Sequence, residues 1–140
     1  MREDLVKTMN SIVGKPFKDG GRNIDYGFDC VGAIVYVAEK NGIQVKDLKG
    51  YSQTPSNGFF LEAIENNLEK VKKENVKAGD LVIFSILSEF HHIGMITKTE
   101  PQMWIAHAVS GTTNKIVDHE FGQYWQSKKH RFYKFKGIEE

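Results

Sequence analysis

The sequence is short of several things, and each shortage removes a class of explanation. It holds one cysteine among 140 residues, which excludes an intramolecular disulfide framework and any zinc site built on several thiolates. Nineteen Lys and Arg stand against eighteen Asp and Glu, a formal charge of +1, so there is no electrostatic case for nucleic acid or an anionic membrane as partner. No stretch reaches the ~18 consecutive apolar residues of a membrane span. The opening residues Met1-Arg2-Glu3-Asp4-Leu5-Val6-Lys7 carry acids and no apolar run, so no signal peptide is expected. There is no internal repeat, low-complexity tract or linker. The expectation is a single domain, 1–140, able to bury a core without disulfides or metal.

What is present is organised around the lone cysteine. From Cys30 onward, Val31, Ile34, Val35 and Ala38 recur at helical spacing, and Asn41-Gly42 supplies a stop. Asp29 is a candidate N-cap, which puts Cys30 in the first helical turn. There the unpaired N–H groups and the positive end of the helix dipole favour a thiolate. Such surroundings lower a thiol by several units from its usual value of about 8.5. The same position would also suit a small buried hydrophobe, the ordinary fate of a single cysteine. The histidines downstream decide between the two.

Upstream, Leu5, Met9, Ile12 and Val13 share one face of an opening helix that ends at Gly14 and Pro16. The glycine-rich run from Gly14 to Gly21 reads as turn chemistry and lacks the Gly-Lys-Ser/Thr ending of a phosphate loop. A polar segment, 46–57, separates the cysteine helix from a second amphipathic one carrying Phe60, Leu61, Ile64 and Leu68. Residues 70–74 read as a solvated stretch. The period then changes. Residues 81–86, 91–97, 103–109 and 130–135 read as strands, with a further segment at 115–118 and a short helical piece around 121–126. Helices first and strands afterwards give an α+β fold, an antiparallel meander packed on the cysteine helix.

Five histidines need sorting. His119 and His130 lie near element ends among polar neighbours and read as surface residues. His91 and His92 are adjacent, so strict alternation sends them to opposite faces. His92, Gly94 and Ile96 share a face, and Gly94 leaves room beside His92 for another backbone or a ligand. If 92 pairs with 107, then 96 pairs with 103, and the imidazoles of His92 and His107 lie on one face about 5 Å apart at Cβ. Two histidines and a distant cysteine make a poor metal ligand set. Cys30, His92 and His107 do make a nucleophile, a base and an orienting group.

Asp29-Cys30-Val31-Gly32, Ala78-Gly79-Asp80-Leu81-Val82-Ile83-Phe84, His92-Ile93-Gly94-Met95-Ile96 and Ile105-Ala106-His107-Ala108 resemble, in order, the motifs of the NlpC family of cell-wall cysteine endopeptidases. The resemblance runs from about Gly14 to Val117. It implies a papain-like fold, with N-terminal helices packed on an antiparallel sheet and the nucleophile at a helix N-terminus. It also implies hydrolysis of amide bonds in peptidoglycan stem peptides, typically between γ-D-glutamate and a diamino acid. By position Cys30 matches the nucleophile, His92 the base and His107 the residue that orients it. No cofactor and no metal are implied. Tyr51-Ser52-Gln53-Thr54-Pro55 is similar to a segment of phage-tail members, which implies synthesis in the cytoplasm and action at the wall or in a phage particle. A phage-tail or immunity protein is then a candidate partner beside the stem peptide itself.

The sequence departs from the family at two places. Val31 stands where serine usually follows the nucleophile, and Phe17 where a hydroxyl-bearing aromatic often sits. Candidate substrate-binding residues are Asp29, Val31, Tyr26 and Tyr51. Asp29 reads equally as a cap alone or as a partner for a substrate amine, and Tyr26 as a hydroxyl donor or a packed loop aromatic. The missing hydroxyl at Val31 leads to the expectation that a free L-alanine amine is not required and that stem peptides still on the glycan are cleaved. Two other readings use the same residues: a related thiol amidase or acyltransferase, and an inactive papain-like domain that binds wall peptide or a protein.

Overall fold

A computed structural model of the chain describes residues 1–46, 58–86 and 89–138. The opening helix, α1 (Arg2–Ser11), buries Leu5 and Met9, and Ile12 follows them into the core. Val13 does not follow; the helix has already ended and its side chain is 39% exposed. Arg2 pairs with the fully buried Asp80, which ties the start of the chain to the turn before the sheet. The glycine-rich loop holds a two-stranded ladder, β1 (Arg22–Asn23) and β2 (Gly27–Phe28). It leads straight into α2 (Cys30–Lys40).

α2 is the central helix, buried along most of its length, because α1 packs on it from one side and the sheet from the other. Its N-terminus is closed by Asp29, whose carboxylate accepts from Gly32 N–H at 2.7 Å. Asn41 caps its other end and donates from Nδ2 to Val37 O at 2.9 Å. α3 (Phe59–Asn67) buries Phe60 and Ile64 against the same core. Leu68, read from the sequence as a helical position, is extended and begins β3 (Leu68–Val71). The supposedly solvated 70–74 stretch is therefore partly an edge strand, followed by a 3-10 turn at Lys73–Asn75.

The remaining elements are β4 (Leu81–Ile86), β5 (Glu89–Lys98), β6 (Trp104–Val109), β7 (Lys115–Glu120), α4 (Gln123–Gln126) and β8 (His130–Phe135). They form an antiparallel sheet in the order β3-β8-β4-β5-β6-β7. β4 to β7 are the expected meander, and β8 returns to insert between β4 and β3. The fold is α+β, with helices packed on an antiparallel sheet of six strands.

Period-two alternation divides the sheet between two cores. Leu81, Ile83, Ile93, Met95, Ala106 and Ala108 face the helices, together with Cys30. Val82, Phe84, Ile96, Ile105, Phe121 and Phe132 form a smaller cluster on the opposite face, which Trp125 of α4 covers. The register of β5 on β6 sets Ile96 opposite Ile105, not 103. A slip of two residues keeps each side chain on its face, so the expected sharing of a face survives the error.

Candidate active site

Cys30 is the first residue of α2 and is 3% exposed. Asp29 holds it there with a fully buried carboxylate. One oxygen takes the Gly32 N–H and the Arg22 guanidinium at 2.6 Å, and the other takes Gly20 N–H at 3.1 Å. These contacts occupy Asp29 as a cap and an ion-pair partner, and the loop is latched to the helix through it. Of the two roles open for Asp29, the structure supplies the structural one.

His92 and His107 come together from the neighbouring strands β5 and β6. His92 Nε2 lies 2.7 Å from His107 Nδ1. Trp125 stacks on His92 with ring centroids 5.3 Å apart and meets His107 edge-on at 4.7 Å. The space beside Gly94, expected to hold another backbone or a ligand, is filled by side chains. A Cβ built there would lie 2.9 Å from Ile105 Cδ1 and 3.0 Å from His107 Cβ.

Two expectations about the other histidines are corrected. His119 is not a detached surface residue. Its Nε2 lies 2.8 Å from His107 Nε2, and its Nδ1 donates to the Glu120 carbonyl at 2.7 Å. The pairing of β6 with β7 sets Ile105 opposite His119, on the face that carries His107. His130 is half-buried among Phe84, Phe121 and Phe132 and donates from Nδ1 to Lys128 O. Nothing local in the sequence marks His119. Its signal is the strand register, which places 119 on the face of 105 and 107.

His91 and His92 do not simply part to opposite faces. β4 sets Phe84 opposite His92 and Ser85 opposite Phe90, so His91 is the additional residue of a β-bulge, a device that re-aims side chains at strand ends. Both histidines line one cleft of about 970 Å³, together with Cys30, Phe17, His119, Tyr124, Trp125 and Lys128. This cleft is where the helix N-terminus and the histidine face have a common wall. The surroundings of His92 hold it neutral, with its pKa lowered to about 3, chiefly by burial and then by the nearby charges of His91 and Lys128. Burial, followed by His92 and His119, lowers His107 well below the usual range.

The substrate-binding candidates fare differently. Phe17 lines the cleft. Val31 is 4% exposed and lies with Ile34, Ala63, Ile64 and Ile93 in an apolar gap between α2, α3 and the sheet. A residue so placed packs the core, and this removes the basis for reading a lost substrate contact from its missing hydroxyl. Tyr26 is 69% exposed with the Lys18 ammonium 5.9 Å from its ring centroid, and it is not among the residues that line the cleft. Tyr51 lies outside the described residues. No group of three metal-ligating side chains arranged to hold an ion occurs among the described residues. No described helix is long and apolar enough to cross a membrane.

A model of the NlpC/P60 family matches residues 14–134. The chain is similar to the NlpC/p60 domain of the peptidoglycan hydrolase SagA, at 19% identity and a TM-score of 0.66, over 94% of this chain and 97% of that one. It is similar to a lipoprotein-like NLP/P60 family protein from Staphylococcus aureus, at 19% identity and a TM-score of 0.72, over 96% of this chain but only 41% of that one. It is also similar to RipD from Mycobacterium tuberculosis, described as a non-catalytic NlpC/p60 domain protein adapted to peptidoglycan binding. That likeness has 13% identity and a TM-score of 0.65, over 95% of each chain. At these identities the likenesses speak for the fold. No curated protein sequence matches the chain.

Proposed function

The chain belongs to the NlpC/P60 family, and from that premise we propose that it is a cysteine peptidase hydrolysing amide bonds in peptidoglycan stem peptides, of the γ-D-glutamyl-diamino acid type. The observation that carries this reading is the shared cleft. A cysteine at a helix N-terminus and a histidine hydrogen-bonded to a second histidine line one concave site.

The roles follow from the chemistry of each group. Cys30 Sγ attacks the scissile carbonyl carbon while His92 takes the thiol proton. Backbone N–H groups at the head of α2, that of Cys30 first, face the developing oxyanion and favour it through the helix dipole. The tetrahedral intermediate collapses, the C–N bond breaks, and His92 gives its proton to the leaving amine. Water then attacks the thioester with His92 as base again, releasing the acid and restoring the thiol. His107 fixes the ring orientation of His92 throughout, the task of the third member of such a set.

A non-catalytic, peptide-binding role is the reading that RipD invites by likeness. The retention here of Cys30, His92 and His107 together weighs against it. Mass spectrometry of muropeptides after incubation with the wild type and with Cys30→Ala tests the proposal. New termini at one stem-peptide bond, made by the wild type alone, are expected. Intact muropeptides with both proteins would overturn it. His92→Ala should lose nearly all turnover, and His107→Ala should lose less, because water partly replaces an orienting group. Retention of rate by His92→Ala with loss in His91→Ala would transfer the base to His91.

A further inference from the structure

Three imidazoles on neighbouring strands form one hydrogen-bonded line, and chemistry at its far end fixes its direction. The Glu120 carbonyl oxygen only accepts, so His119 Nδ1 carries the hydrogen between them. A neutral His119 then presents Nε2 as an acceptor, and His107 Nε2–H donates to it. A neutral His107 in turn accepts at Nδ1 from His92 Nε2–H. His92 Nδ1 is left without a hydrogen. No other arrangement of three neutral rings satisfies all three contacts.

Enclosure is greatest at the middle ring and least at the far end of the line. His107 is 1% and His92 8% exposed, whereas His119 is half-buried and lines the cleft. Burial works against a cation on either inner ring, yet a base that takes a thiol proton has to place the charge somewhere. The line offers an exit.

We propose that His119 is the terminal member of a proton relay that carries charge away from the buried face whenever His92 Nδ1 is protonated. As His92 Nδ1 gains a proton, its Nε2 proton passes to His107 Nδ1, and the Nε2 proton of His107 passes to His119 Nε2. Each transfer breaks one N–H bond and forms another, and the net result is a cation at His119. When His92 returns a proton to the leaving group, both transfers run backwards. His119 touches no reacting atom and acts through its two neighbours. The charged or titratable groups that line the same cleft are His91 of β5, Asp118 of β7, whose carboxylate accepts from Thr97 Oγ1, Tyr124 of α4, Lys128 beyond it and Cys30 of α2. The catalytic consequence rests on the peptidase reading; the order of the tautomers rests on the geometry.

Long-range nitrogen–proton spectra of the whole chain, labelled at histidine nitrogens, test the relay directly. From about pH 8 to about pH 5, where imidazoles titrate, the expected start is Nε2–H on His92 and His107 and Nδ1–H on His119. Acid should then protonate His119 and switch the other two rings to Nδ1–H in the same step. A His119 that titrates while the inner tautomers stay fixed overturns the proposal. In kinetics, His119→Gln keeps an acceptor but cannot take the charge. It should lose about one to two decades in kcat with little change in KM, within what positioned proton transfer supplies, and its pH profile should shift. A wild-type rate and profile in His119→Gln would also overturn the relay. A wild type with no hydrolysis counts against the peptidase reading, and the spectra still decide the relay.

Discussion

Asp29 sets where Cys30 stands, and its own burial shows how strongly. Its carboxylate is fully buried with Arg22 as an ion-pair partner that is itself 14% exposed. Removing one side of such a pair strands the other charge. Asp29→Ala should therefore cost about 3–5 kcal/mol, far more than the roughly 1 kcal/mol of an ordinary cap. Asp29→Asn keeps an oxygen for Gly32 N–H and should lose less. Urea unfolding of the two variants checks the order; equal losses would mean that the cap hydrogen bond contributes little beside the ion pair. At this scale much of the site was legible, because capping chemistry is local. Asp29 before a helical period, and Cys30 in its first turn, need no knowledge of the rest of the chain. Val31 and His119 were misread for the opposite reason. Whether residue 31 faces cleft or core depends on where α3 packs, and the role of 119 depends on a partner twelve residues earlier on another strand.

Strands place the histidines, and the close approach of β5 to β6 depends on a missing side chain. Gly94 lets Ile105 and His107 lie where a Cβ would stand, at 2.9 and 3.0 Å. Gly94→Ala forces His107 away from β5 and so disturbs its 2.7 Å contact with His92. Overpacking of this kind costs about 1–3 kcal/mol, and activity should fall further than the loss of stability alone accounts for. A thermal melt and a rate measured on the folded fraction separate the two effects; a stable variant with full rate would show that β6 yields without moving the ring. The strands at 81–86 and 130–135 were readable from period and composition to the residue, since each is bounded by turns or polar neighbours. β3 was not, because Leu68 continues the apolar spacing of α3 although its backbone is extended. Nor was the bulge at His91, which leaves no mark in an alternating pattern.

Burying neutral histidines makes the stability of the whole molecule depend on pH, and the sign follows from the two states. In the unfolded chain an imidazole titrates near about 6.5. In the folded protein His92 is lowered to about 3 and His107 is also well below its usual range, burial being the first cause for each. Below about pH 6.5 the unfolded state therefore binds more protons than the folded one. Stability is complete above that value and is lost as the pH falls toward the folded values. Each group contributes a slope of up to about 1.4 kcal/mol per pH unit in that window. Carboxylates titrate near about 3.9 to 4.3 when unperturbed, so the upper part of the window, from about pH 6.5 to about 5, isolates the histidines. Urea unfolding across that range should show stability falling with acid in the wild type. His92→Asn, which keeps a polar side chain but removes one titrating ring, should fall less steeply. A flat wild-type curve would mean that the inner rings take up protons without unfolding, and that the sheet face beneath Trp125 tolerates charge after all.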